Sequence, residues 1–379
     1  MNYRHIICIF LAIAGASCSQ IQKATDVITQ PTAREVYARN FDKDDVQYKR
    51  WDYAFAKAYT DSTASTFALA PVDIPFASSG TFKIKNSTPL TYIFEASRGE
   101  QLEIVSQTTV DSAQVFLNLY KLDAASKVRA IKENEINSKK ISHHVDFSGH
   151  YLLIVQPEIY TTSPFTIQIF TRPTLRFPVT GKTAKAVQSF WGDQRDGGRR
   201  SHKGIDIFAK RGTPLIAATD GRVSRIGDYG LGGKQVWLRD GLFGKSLYYA
   251  HLDSITARSG QRVKVGDTLG FVGNTGNART TSPHLHFGIY TRSGAVDPLP
   301  FLKASRIANA PETPTLKGVV LRRGNVRSGA STKNEILFKA SQKDTVTILE
   351  RQESWYRMLP EDSLQGYIHS SLLKELNTN

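Results

Sequence analysis

Cysteine is almost missing from this chain. Two occur in 379 residues, Cys8 and Cys18. Cys8 lies in a short apolar run, "IICIFLAIA" (6–14), and Cys18 follows Gly15, Ala16 and Ser17. Removal of residues 1–17 leaves one thiol, which excludes a disulfide within the chain and any metal site built from several cysteines. Long apolar runs are missing too. None approaches the roughly 20 residues of a membrane-spanning helix, so the processed protein is expected to be soluble. Zinc-finger and RNA-binding signatures are absent and the basic residues are scattered, which argues against a nucleic-acid partner.

What is present is ordinary in proportion. Apolar residues make up 40% and charged residues 22%, as in globular proteins, and the length suits two to four domains. The formal charge of +15 suits an anionic polymer such as a cell wall or a lipid surface. The amino terminus has one basic residue, Arg4, then the short apolar core, then small residues. That is the layout of a secretory signal over 1–17. Its end resembles the lipobox of bacterial lipoproteins, whose cysteine is acylated and becomes the first residue. Here that residue is Cys18, although a leucine is usual where Gly15 stands. Acyl chains contribute about 0.8 kcal/mol per buried methylene, so the resemblance implies a protein held on a membrane of the cell envelope, facing the periplasm or wall.

Periodicity divides the rest. Residues 18–74 read as a helical arm, with Trp51, Phe55 and Tyr59 at four-residue steps facing a neighbour. Residues 75–172 carry short β-rich segments such as "TYIFEAS", "QLEIVSQ" and "HYLLIVQ" and predict an antiparallel β-sandwich. His143 and His144 fall there. Adjacent residues on a strand face opposite sides, so exposure is the expected fate of both. "RPTLRFPVTGK" supplies prolines and a glycine for a linker over 173–184. A second β-rich domain spans 185–302, a second linker 303–316, and a third β region 317–379. The chain is therefore expected to be mainly β.

Four of the nine histidines fall in the second β domain: His202, His251, His284 and His286. "SHKGIDIFA" puts His202 four residues before Asp206. Gly204 and the β-branched Ile205 and Ile207 oppose a helix, so a tight loop running into a strand is expected. In "HLH", His284 and His286 share a strand face and Leu285 points away. The same rule places Tyr249 and His251 on one face. Histidine and carboxylate ligands with one open position make a catalytic zinc site, and further histidines beside it can move protons. Two other motifs carry less. "GLFGKS" (241–246) imitates a phosphate loop, but Arg239 stands where the motif needs glycine, and a strand follows instead of a helix. "RDGGRRSH" (195–202) reads as a solvated rim whose Arg199 or Arg200 can meet substrate carboxylates.

Together, in this order, His-x-x-x-Asp, Tyr-x-His-Leu and His-Leu-His resemble the LytM-type, lysostaphin-like zinc metallopeptidases of family M23. "FWGDQR", "GTPLIAATDGRV", "VGDTLGFVGNTG" and "VDPLPFL" extend the likeness over about 185–302. The resemblance implies an antiparallel β peptidase domain with one catalytic Zn2+ on His202, Asp206 and His286, assisted by His251 and His284. It implies hydrolysis of peptide bonds in peptidoglycan stem peptides or cross-links. We read His284 as the base and His251 as the donor, with the reverse left open. "GNVRSG", "SWYRML" and "GYIHSSLL" resemble bacterial SH3-like domains, implying a small β-barrel that often binds wall peptides. The partners expected are peptidoglycan, the membrane through Cys18, and an unidentified regulatory protein. The alternative is a non-catalytic wall-binding lipoprotein, acting as scaffold or as activator of other wall hydrolases.

Overall fold

The computed structural model describes residues 31–64, 69–83, 88–123, 128–241, 244–360 and 364–376. The signal segment and Cys18 lie outside the described residues. No described helix is long and apolar enough to cross a membrane.

The arm is helical and docked. Asp45 caps the helix Val46–Thr63 by accepting from the Tyr48 amide at 2.8 Å. Trp51 is fully buried, and its indole N–H donates to the Pro157 carbonyl at 2.8 Å. Tyr59 packs on Tyr120 at 5.1 Å, so the aromatic stripe does face a neighbour.

That neighbour is a sandwich of two four-stranded antiparallel layers. One layer runs Leu90–Ala96, Gly149–Pro157, Val115–Leu122, Val128–Glu133; the other runs Phe76–Phe82, Ser163–Pro173, Glu100–Thr108, Lys140–His144. Alternation builds the core: Leu102 and Ile104 point inward from one strand and meet Phe94, Leu117 and Leu153 of the facing layer. His143 and His144 are half-buried rather than exposed. His143 packs 6.1 Å from Tyr151 and loses contact with water there.

The histidine-bearing domain has an eight-stranded antiparallel sheet. Its main path is Arg262–Val263, Gly221–Tyr229, Gly233–Asp240, Ser246–Ala250, His284–Thr291, Ile205–Phe208, Val187–Ser189. A three-stranded sheet (Pro214–Ile216, Thr268–Val272, Leu252–Ile255) covers one face. Ile207, Leu247, Tyr249, Leu285 and Phe287 are buried between them. The segment 173–184 does not run free as a linker. Leu175 and Val179 are buried in this core with Phe177 packed beside them. The Ile216 amide donates to the Pro178 carbonyl at 2.9 Å. Proline lacks only the donor, so its carbonyl still joins an edge.

The C-terminal domain threads seven short strands around Val326, Ile348, Met358 and Ile368. Its strand Thr345–Gln352 also pairs with Phe76–Phe82 of the sandwich, Ser79 opposite Arg351 and Gly80 opposite Glu350. One sheet is therefore continuous across both domains, and a sandwich edge that would otherwise be open is covered. Behind this seam Arg357 and Glu350 form a fully buried ion pair at 3.2 Å. Arg357 also donates to the Thr91 carbonyl at 3.1 Å, and Tyr92 donates to Glu350 at 2.5 Å. The segment 303–316 is strapped to the sandwich. The Gln168 amide donates to the Ala308 carbonyl at 2.8 Å, and Ser79 donates to the Glu312 carbonyl at 3.0 Å.

Candidate metal centre and cleft

Three structural elements bring the ligand candidates together. The hairpin Gln194–Arg195/Arg200–Ser201 delivers His202. A short turn follows, and the strand Ile205–Phe208 carries Asp206. Asp206 stands directly opposite His286 on His284–Thr291, and Phe208 stands opposite His284. The turn depends on Gly204. A Cβ there would lie 2.6 Å from the Phe287 carbonyl oxygen and 2.7 Å from the His286 ring, closer than real side chains approach. Only glycine lets the His202 loop pass this close to the ligand strand.

The donor atoms converge. His202 Nε2 lies 2.9 Å from His286 Nδ1 and 3.1 Å from Asp206 Oδ1, and His286 Nδ1 lies 2.9 Å from the same oxygen. Among the described residues this is the one group whose ligand atoms cluster as a metal site requires. The separations are within a few tenths of an ångström of those given by three bonds of roughly 2.0–2.1 Å to one tetrahedral ion. The tautomers suit it too. His202 Nδ1 donates to the Phe190 carbonyl at 2.8 Å, which leaves the Nε2 lone pair facing Asp206. Burial works to raise the Asp206 pKa, but the adjoining His202 and His286 rings outweigh it and hold the carboxyl well below the usual range. An ionised carboxylate and two imidazoles meeting at one point are suited to a divalent cation.

His251 and His284 stand beside this trio. Their rings are 5.1 Å apart, and His251 is 5.9 Å from His286. His251 Nδ1 donates to the Thr275 carbonyl at 2.9 Å, and His284 Nδ1 donates to the Ser282 carbonyl at 2.8 Å. Both rings thus keep Nε2 for the cleft. His284 also stacks on Phe208 at 4.9 Å. Leu285, between the two strand histidines, is fully buried, as the period of two requires.

One expectation fails here. Tyr249 and His251 do not share a face. The strand ends at Ala250, and His251 takes a left-handed backbone with φ of 66°. A non-glycine residue in that region is uncommon and marks a constrained site. The kink turns His251 into the cleft, while Tyr249 stays in the core and accepts from the Ala218 amide at 2.9 Å. Tyr248 lines the cleft instead, edge-on to His286 at 5.8 Å, with Tyr290 at 6.2 Å and Trp237 at 4.4 Å. Sequence reasoning missed Tyr248 and Tyr290. Tyr290 was in reach of the rule, since it follows His286 by four on the same strand face.

The cleft has a volume of about 560 Å³, and its described lining comes from residues 189–290 alone. No described residue of the arm, sandwich or C-terminal domain lines it. Arg200 reaches its rim. "GLFGKS" forms no part of it, and Leu242 and Phe243 of that motif lie outside the described residues.

Burial and the neighbouring His284 and His286 push His251 down to about 4, and burial also lowers His286. These histidines ordinarily titrate near 6.5, so between about 6.5 and 4 the unfolded chain takes up protons that the folded protein resists. Asp206, depressed in the fold, adds a loss at still lower pH. The metal-free protein should therefore be most stable near neutrality and weaken as pH falls through that window. Denaturant midpoints across pH check this, and a flat profile would contradict it.

Comparison with known proteins follows the same division. Residues 200–298 match the model of peptidase family M23, and residues 321–374 match that of the bacterial SH3 domain. An L-Ala–D-Glu endopeptidase of Bacillus subtilis (strain 168) is 37% identical over 140 residues, covering 34% of this chain and 43% of that protein. The uncharacterized lipoprotein YgeR of Escherichia coli (strain K12) is 29% identical over 229 residues, covering 58% of this chain and 85% of that one. The solved catalytic domain of lysostaphin from Staphylococcus simulans is 35% identical, covering 30% of this chain and 88% of that domain, with a TM-score of 0.27. The chain thus spans less than half the length of the Bacillus enzyme. Residues 200–298 are a domain of peptidase family M23, and residues 321–374 are a bacterial SH3 domain.

Proposed function

We propose that this protein is an exported, zinc-dependent endopeptidase that hydrolyses peptide bonds in the stem peptides or cross-links of peptidoglycan, held on a membrane through an acylated Cys18. The observation that carries the reading is the convergence of His202 Nε2, Asp206 Oδ1 and His286 Nδ1 in a cleft that also holds His251 and His284. A zinc ion bound there supplies Lewis acidity to a peptide carbonyl and lowers the pKa of a water. His202 and His286 serve as neutral ligands and Asp206 as an ionised one. His284 Nε2 receives the proton of the attacking water and returns it to the leaving amine as the C–N bond breaks. His251, neutral at rest because burial and its histidine neighbours hold its pKa down, would take a proton from solvent at Nε2 as negative charge develops on the carbonyl oxygen, and donate to it. Both rings are anchored through Nδ1, so the reverse assignment needs no change of geometry.

The wall as substrate is inferred from the named bond of the Bacillus relative, the bacterial SH3 domain and the net positive charge. The lipid anchor is inferred from the sequence around Cys18 and the likeness to a lipoprotein. The presence of all five side chains favours catalysis over a purely wall-binding scaffold. Chelation of the full chain should abolish release of new amine termini from purified peptidoglycan, and added zinc should restore it. Zinc-loaded protein that releases none from any wall preparation would overturn the reading.

A further inference from the structure

Asp206 has two carboxylate oxygens, and they do different things. Oδ1 faces His202 and His286. Oδ2 accepts from the Arg195 guanidinium at 2.8 Å. Arg195 sits on the hairpin strand Gln194–Arg195, eleven residues before Asp206. The same guanidinium nitrogen donates to Ser189 Oγ. Ser189 stands opposite Asp206 in the strand pairing, at a β-bulge between Asp206 and Ile207. Ser189 in turn donates to Asp193 at 2.9 Å, and Asp193 also accepts from the Phe190 amide at 2.7 Å. The arginine lies 3.1 Å from His202 Nδ1. That nitrogen already donates to Phe190, so the arginine gains no hydrogen bond from it. Its binding partners are Asp206 and Ser189. The Asp206 side chain is 11% exposed and that of Arg195 32%, so the pair is largely out of solvent and holds its geometry.

We propose that Arg195 is a positioning residue for the metal centre. By holding Oδ2 it fixes the carboxylate plane of Asp206 and presents Oδ1 to the point where the two imidazoles meet. Partners of this kind orient ligands and typically change metal affinity by roughly 10–100-fold when removed. A guanidinium does this better than an ammonium because two of its planar N–H groups can be held at once. The hairpin that carries Arg195 also delivers His202, so one short element sets two of the three ligands. Its turn is tight, with left-handed backbone at Asp196, Gly197 and Gly198, and Arg200 donates across it to Asp196 at 2.5 Å.

The inference rests on the zinc reading above, and the test separates the two. Zinc affinity of the full chain is measured by competition with a chromophoric chelator for wild type, Arg195→Ala, Arg195→Lys and Asp206→Ala. Hydrolysis is measured in parallel at saturating zinc. The expected result is zinc binding weakened about 10–100-fold in Arg195→Ala, partly recovered in Arg195→Lys, with KM nearly unchanged once zinc is saturating. Zinc affinity within twofold of wild type in Arg195→Ala, with a raised KM, would overturn the proposal and make Arg195 a substrate contact instead. Wild-type protein that binds no zinc would sink the reading of the site itself. Should Arg195→Ala fail to fold, Ser189→Ala removes the support of the guanidinium and should weaken zinc in the same direction. Unchanged affinity there, together with unchanged affinity in Arg195→Lys, would also overturn it.

Discussion

His284→Ala should lose about two to four orders of magnitude in hydrolysis while keeping its zinc. His284 is not among the three converging donors. Its Nδ1 is spent on the Ser282 carbonyl and its face on Phe208, which leaves Nε2 as the one ring nitrogen free for proton transfer. His286→Ala should behave differently and lose both metal and activity, because it removes one of the three donors that converge among the described residues. Zinc content and turnover measured on the same preparations separate the two cases. Loss of zinc in His284→Ala would make that residue a ligand and overturn the division of labour between the two strand histidines.

Glu350→Ala should destabilise the protein by about 3–5 kcal/mol, the usual cost of leaving a buried charge without its partner. Glu350 and Arg357 are both fully buried, and the Tyr92 hydroxyl and the Thr91 carbonyl complete their hydrogen bonding from the sandwich side. Removing the carboxylate strands a guanidinium in the seam between two domains. Replacing both charges with apolar residues of similar size should cost far less. Denaturant unfolding of the single and double variants checks this. A single-variant loss below about 1 kcal/mol would place water at the seam, since exposed pairs contribute no more than that. The same network means that the SH3-like domain is not a free tether. Shared strand pairing and the strapped segment 303–316 hold it on the sandwich.

The strand rule read the "HLH" segment correctly because nothing interrupts the period of two between His284 and Thr291. It failed one strand away because His251 leaves the strand in a left-handed turn, and nothing in "YYAHL" marks that turn. Arg195 was invisible for another reason. Its link to Asp206 passes through a hairpin, and an arginine in a Gly-rich basic stretch reads equally well as a solvated rim. The segment 173–184 carried a readable signal that its prolines masked, since Leu175, Phe177 and Val179 alternate as an edge strand does. The Glu350 contact with Tyr92 joins residues 258 apart in sequence, and no local pattern announces a pairing at that range.

Mass spectrometry of fragments released from purified peptidoglycan tests the central claim most directly, with zinc-loaded wild type beside His286→Ala. Wild type should release peptides ending at one kind of peptide bond, each with a new amine terminus, and His286→Ala should release none. Identical fragments from both proteins, or none from either, would contradict the assignment of this cleft as a zinc endopeptidase site.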